Sequence, residues 1–368
     1  MAPIKVVKKS LTKKSPIKVS SKTQVKKKNL SRPKKVATPN VVTAKKSAGL
    51  TQKLETAART ALETCLAVKA GETVLVIADE PTREIGAVIW RVAKSMNTEA
   101  MFVEMIPRQR NGEEPPAPIA ALIAASSVVL CPTSKSLTHT AARREACAHG
   151  ARIATLPGIT TDMMIRCLNA DYDAIAARSK KLATVLESGD EIRVTSPAGT
   201  DIRLRRGDRR AIPNTGLYHN PGEGGNLPAG ETYFAPIEGS AQGIIVFEAA
   251  VAGIGKIKKP IRLVVQNGIA VEITGGDEAQ KLNDLIHPLG ATARNIAELG
   301  IGTNDQAKIT GVILEDEKVM GTVHLALGDN MSMGGTVAVP SHLDGLILQP
   351  TVYLDGQMIM NAGRLLAA

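Results

Sequence analysis

Four short segments in the second half of the chain carry side chains able to hold a cation. Glu231 follows a tight Pro-Ala-Gly turn inside a glycine- and proline-rich stretch, residues 214–239. Such a stretch is costly to order, because glycine loses the most backbone freedom on folding. Glu298 stands in AELGIG between Ala297 and Leu299, an apolar setting where a carboxylate is expensive unless a cation neutralises it. In GTVHLALG, residues 321–328, strand alternation places Thr322, His324 and Ala326 on one face. In SHLDG, His342 and Asp344 are two residues apart. On a strand they share a face while Leu343 turns away, so a nitrogen and an oxygen reach one point. Together Glu231, Glu298, His324, His342 and Asp344 give three carboxylates, two imidazoles and no thiolate, a donor set for hard or borderline divalent ions. One divalent ion among three carboxylates leaves a net −1, which disfavours a hydroxide nucleophile. Two ions leave +1, which a bridging hydroxide neutralises, as in hydrolytic dinuclear sites. Glu238 and Glu223, in the same 214–239 stretch, are the candidate catalytic carboxylates for proton relay.

The elements that must position these groups change character along the chain. From residue 50 helical and strand patterns alternate: helix at 54–66, strand at 73–78, helix at 82–95, strand at 100–106 and helix at 116–125. Strand 128–131, helix 138–149, strand 152–156 and a helix from residue 160 continue the order. The run TVLVIA is continuously apolar, as in a strand buried on both faces. This order argues for a parallel sheet covered by helices. After residue 187 glycine and β-branched residues rise and strands shorten, for example at 191–195 and 201–205, with helical patterns only near 277–289 and 292–299. The expected class is α/β: a parallel α/β domain over 50–187, then a β-rich α+β metal-binding domain over 188–368, preceded by a disordered Lys-rich tail over 1–49.

Composition removes several classes of function. The 368 residues carry a formal net charge of +11, but residues 1–48 hold 15 of the 46 basic groups and none of the 35 acidic ones. The remainder has 31 basic against 35 acidic groups, a net of −4. Disorder is therefore the default for the tail. Its polycation could touch nucleic acid or anionic surfaces non-specifically through counterion release, or simply solvate the chain. No apolar segment follows the charges, so a secretory signal is not expected. The longest apolar run, 119–130, is too short to cross a bilayer, so no membrane role is expected. Four cysteines without CxxC pairing fit a reducing cytoplasm. The first strand runs into Asp79-Glu80-Pro81, and neither GxGxxG nor GxxxxGK[ST] follows a strand, which argues against dinucleotide and P-loop chemistry. His139 and His149 read as surface or capping histidines.

The segments GGNLPAGETYFAP, AELGIGTN, LEDEKVMGTVHLALGDN and SHLDG resemble the metallo-aminopeptidases of peptidase family M29, which includes aminopeptidases T and S, and particularly its shorter members labelled leucyl aminopeptidase. The resemblance covers most of residues 50–366. It implies an α/β amino-terminal domain, a metal-bearing carboxy-terminal domain, a homodimer, and two divalent ions (zinc, cobalt or manganese) held at positions matching Glu231, Glu298, His324, His342 and Asp344. A tyrosine that the family carries seven residues beyond its first histidine is replaced here by Met331. The same superfamily resembles 2,5-dihydroxypyridine 5,6-dioxygenase, which implies a single Fe(II) on a facial triad of His324, His342 and Asp344. The leading expectation is a cytoplasmic metalloprotease-type hydrolase, an aminopeptidase that removes the N-terminal residue of small peptides through a metal-activated water. The alternative is a mononuclear non-haem iron dioxygenase that cleaves dihydroxypyridine-type rings. The 2% aromatic content weighs mildly against that alternative, since ring substrates often stack on aromatic side chains.

Overall fold

The apolar run at Thr73–Asp79 is a strand buried along all but its first residue. It takes the second position of a five-stranded sheet in which every adjacent pair is parallel. Its neighbours, in order, are Glu99–Met105 on one side and Val128–Cys131, Arg152–Thr155 and Gly224–Asn226 on the other. The last of these returns from the glycine-rich stretch of the second half. Helices Arg83–Ser95, Ala117–Ala124, Ala141–Ala148 and Thr161–Cys167 fall between and after the first four strands, as the alternating pattern predicts. The computed structural model describes residues 41–366. The tail expected over 1–49 lies mostly outside the described residues, and from Val41 the chain is helical to Arg59. A wider π-turn, Thr60–Cys65, completes the helix expected at 54–66. No helix among the described residues is long and apolar enough to span a membrane.

Two antiparallel sheets make up most of the chain beyond residue 190. One has eight strands, with Glu191–Thr195 and Asp201–Arg205 at its middle. The other has seven, in the order Gly255–Lys256, Ala250–Val251, His342–Ile347, Val323–Gly328, Ile296–Gly302, Glu231–Phe234 and Ile212–Asn214. Strand alternation divides the seven-stranded sheet into two faces. Leu299, Ile301, Val323, Leu325, Leu327 and Phe234 join Ile192, Val194, Ile202 and Leu263 of the eight-stranded sheet in one buried apolar cluster. The opposite face carries Glu298, Gly300, His324, Ala326, His342 and Asp344.

The helix expected at 292–299 is not there. Residues Ala291–Arg294 make a short 3-10 turn, and Ile296–Gly302 is a strand buried at every position. The apolar spacing of IAELGIG fits a strand covered on both faces as well as it fits a helix, and the pairing partners on either side decide between them.

A chain segment, residues 303–322, is folded tightly against the end of this strand. Asn304 N–H donates to the Lys318 carbonyl (2.9 Å), Met320 N–H to Asn304 (3.0 Å) and Gly302 N–H to Thr322 (3.1 Å). A Cβ on Gly302 would lie 2.0 Å from the Val319 carbonyl oxygen, so only glycine lets the two backbones meet here. Gly302→Ala is expected to destabilise the fold by about 1–3 kcal/mol, the usual cost of overpacking a closed core. Urea unfolding against wild type measures it, and an unchanged midpoint refutes the close approach.

Candidate metal centre

Backbone register alone brings all five expected ligands into neighbouring rows. Glu298, Ala326 and Asp344 lie directly opposite one another across three strands. His324 lies opposite Gly300, His342 opposite Gly328, and Glu231 opposite Gly302. Each acidic or imidazole side chain thus has glycine or alanine directly opposite on one neighbouring strand, while Leu346 lies opposite His324 and Asn214 opposite Glu231 on the other. The fit over Gly300 is close, since a Cβ there would sit 2.0 Å from His324 Nε2.

The side chains then converge. Glu298 Oε1 is 3.2 Å from His324 Nε2, and its Oε2 is 3.1 Å from His342 Nε2. Glu231 Oε2 is 3.4 Å from His324 Nε2, and Asp344 Oδ1 is 3.5 Å from His342 Nε2. Two groups of donor atoms, each lying within 4.8 Å of one another, result: Glu231, Glu298 and His324 inside, and Glu298, His342 and Asp344 nearer the surface. Glu298 belongs to both. The triad of His324, His342 and Asp344 does not form a group of its own, because Glu298 stands between the two imidazoles. The His342 ring is oriented by Nδ1–H, which donates to the Asp329 carbonyl (2.8 Å) and leaves Nε2 for the cluster. His324 Nδ1 is buried without a hydrogen-bond partner.

The electrostatics follow from burying so many carboxylates. Burial alone lowers the pKa of an imidazole, but the hydrogen bond to Glu298 and the charges of Glu231 and Glu298 outweigh it and lift His324 to about 9. His342 is held well above the usual imidazole range by Asp344 and Glu298, again against burial. Burial works the other way on Glu298, yet its two imidazole bonds keep it well below the ordinary carboxylate range. Without a metal, then, the site compensates its negative charge with protons on the histidines.

Two charged members were not legible as site residues in the sequence. Lys318 is fully buried and donates to Glu231 Oε1 (2.6 Å) and to Glu317. Burial, reinforced by the charges of Glu231 and Asp344, pushes the Glu317 carboxyl up to about 8 against the pull of Lys318. In EDEK the pair reads as a solvated charge run, and only the folding of residues 303–322 under the sheet buries it. Asn214 adds a third contact, donating to Glu231 Oε1 (2.9 Å).

The carboxylates expected to relay protons lie elsewhere. Glu223 accepts from the backbone and side chain of Asn220 in a tight turn. Glu238 accepts from Arg209, Asn330 and the Thr336 backbone, and these contacts overcome burial to bring it down to about 2. It clamps the 329–337 loop, and neither residue belongs to a cation-holding group. A different group approaches from the first half of the chain. His139, expected as a surface or capping residue, lies on the loop after Val128–Cys131, solvent-exposed yet crowded by protein atoms, within electrostatic reach of His342, Asp329 and Glu298. Burial, then the neighbouring positive charges of His342 and Arg143, hold its pKa below the usual value. Asp79 anchors that loop by accepting from Ser134 N–H (2.7 Å) and Oγ (2.5 Å).

A family model described as 2,5-dihydroxypyridine 5,6-dioxygenase matches residues 53–367. The 2,5-dihydroxypyridine 5,6-dioxygenase of Pseudomonas putida is 27% identical over 202 residues, covering 50% of this chain and 56% of the relative. The chain therefore spans about half the length of the curated relative it matches. Among solved structures, 2,5-dihydroxypyridine dioxygenase from Pseudomonas putida KT2440 superposes with a TM-score of 0.73 at 21% identity, covering 87% of this chain and 98% of that one. AmpT from Thermus thermophilus superposes with a TM-score of 0.63 at 17% identity, covering 86% and 99%. The mixed α/β class holds, and the likeness to AmpT is one of fold. The aminopeptidase expectation does not hold: the family model and the curated relative both name a dioxygenase, an oxidoreductase, so the hydrolase and protease assignments are corrected.

The donor chemistry fits a divalent ion: buried carboxylate oxygens and imidazole nitrogens converge, and one imidazole is already oriented from behind. A cation must displace the protons that the histidines hold, both raised above the usual imidazole range, so its binding weakens as pH falls. At pH 7 each bound ion should release at least one proton, and affinity should rise roughly tenfold per pH unit between pH 6 and 8. Calorimetry in buffers of different ionisation enthalpy measures the release, and a pH-independent affinity contradicts the charge assignment.

Proposed function

The chain belongs to the 2,5-dihydroxypyridine 5,6-dioxygenase family, and from that premise we propose that it is a non-haem iron dioxygenase opening a dihydroxylated N-heteroaromatic ring. The observation that carries the reading is the group Glu298, His342 and Asp344, one imidazole and two carboxylates at a partly exposed position, within the stretch matched to the family. A set of imidazole and carboxylate donors without thiolate suits Fe(II) among the available metals. Fe(II), when bound, supplies the one-electron chemistry that lets dioxygen react with an electron-rich ring, both oxygen atoms ending in the product.

The chain's own residues have definable tasks. Glu298, His342 and Asp344 would hold the ion, with His342 kept in place by the Asp329 carbonyl. His324 would fix the second oxygen of Glu298 from below. The parallel-sheet loop would close the site from the other side, and His139 on it, with a depressed pKa, is available as a neutral base for a ring hydroxyl proton. A hydroxypyridine is recognised through its hydroxyls and ring nitrogen, so a site walled by imidazoles and carboxylates suits it despite the scarcity of aromatic side chains.

Anaerobically purified chain loaded with Fe(II) should consume one dioxygen per 2,5-dihydroxypyridine, followed with an oxygen electrode and by loss of the ring's ultraviolet absorbance. His342→Ala and Asp344→Ala should each lose roughly 100-fold or more in turnover, as expected for removal of a metal ligand. His139→Gln should lose about 100-fold and flatten the acidic limb of the pH–rate profile. No oxygen uptake by iron-loaded wild type with any dihydroxypyridine isomer overturns the reading.

A further inference from the structure

The inner half of the cluster has the donors for a second metal ion, Glu231, Glu298 and His324, within 4.8 Å of one another. A buried ammonium stands beside it, on the other oxygen of Glu231. Lys318 Nζ is 2.6 Å from Glu231 Oε1 and also bonded to Glu317, and the side chain has no solvent exposure. Asn214 donates to the same Glu231 oxygen (2.9 Å). That oxygen therefore has two donors, and only Oε2 points toward His324 (3.4 Å). The lysine is fixed by its backbone as well: its N–H donates to Glu315 (2.9 Å) and its carbonyl accepts from Asn304 (2.9 Å). In the outer half, Glu298 and Asp344 make ion pairs only with His324 and His342 among the described residues.

We propose that Lys318 is the resident cation of the inner position and thereby limits this centre to one divalent ion, held by the outer group. This rests on reading the cluster as a metal centre. The charge balance is direct. Glu231, Glu298, Asp344 and Glu317 bring four negative charges in their ionised forms, and one ammonium with one divalent ion brings three positive. A second divalent ion on Oε2 would have to share the Glu231 carboxylate with the ammonium on Oε1, two cations in repulsion across one buried group. Without the ammonium, two divalent ions balance four carboxylates. Lys318 is thus a positioning residue that sets metal stoichiometry, and through it the kind of chemistry open to the site, since a paired-metal hydroxide requires two ions.

The test uses the full chain, stripped with chelator, reloaded anaerobically with Co(II) or Fe(II), desalted, and assayed for metal per chain by plasma mass spectrometry. Wild type should hold one ion, Glu231→Gln one, and Lys318→Met two, with magnetic coupling between the two Co(II) ions in the electron paramagnetic resonance spectrum. Two ions in wild type, or one in a Lys318→Met protein with native circular dichroism, overturns the assignment. If Lys318→Met does not fold, Glu231→Gln decides: one ion supports the lysine as occupant, and loss of the ion refutes it. Oxygen uptake is scored separately. A one-ion wild type inert toward dihydroxypyridines sinks the dioxygenase reading alone, and a two-ion wild type sinks the lysine assignment alone.

Discussion

Four carboxylates share one buried pocket, and the cost of that concentration organises everything near it. Glu231, Glu298, Asp344 and Glu317 are each less than one-tenth exposed, and like charges at such density cannot all remain ionised without cations. The chain answers in three ways. A lysine is buried with them, two histidines take up protons, and Glu317 is driven toward its neutral form. None of these pairs is strong evidence of stability, because burying an ion pair costs nearly as much as its attraction returns. A cluster kept at that cost is better explained by what it binds.

The sheet makes the cluster possible by what it leaves out. Gly300, Gly302, Ala326 and Gly328 stand opposite His324, Glu231, Glu298 with Asp344, and His342 in the ladder. The intervening residues of the same strands, Leu299, Ile301, Leu325 and Leu327, anchor the other face in the shared core of the two antiparallel sheets. One alternation therefore provides both rigidity and room. A site on central strands backed by a closed core holds its donors more firmly than one built on loops.

How much of this could be read in advance depended on distance along the chain. The His-x-Asp pair at 342 and 344 needs only strand periodicity, and the parallel βα succession needs only local pattern, so both were legible. Glu298 was recognised as an expensive carboxylate yet placed on a helix, because pairing on both sides overrides the apolar spacing. Glu317 and Lys318 were missed, since nothing local distinguishes a buried Glu-Lys pair from a solvated one. Glu238 was expected to relay protons, but its oxygens are taken by Arg209, Asn330 and Thr336. The peptidase expectation is overturned by the family match and the curated relative rather than by the charge count, since Glu317 and Lys318 add one charge of each sign.

The chemistry of such a fold is not decided by its frame. The chain superposes on both a dihydroxypyridine dioxygenase and AmpT with TM-scores above 0.6, so the frame by itself does not select a reaction. Side chains outside the strand motifs approach the ligands: Lys318 bonds Glu231 from the 303–322 segment. His139 stands on a loop held by buried Asp79 at the carboxyl end of a parallel strand and by Thr138, which bonds Asn226 (2.9 Å) and Thr155 (2.7 Å). Carboxyl ends of parallel strands are where open α/β sheets gather ligands. Here that edge contributes a wall to a centre built on a different sheet, and the strand Gly224–Asn226, which leads directly toward Glu231, ties the two together.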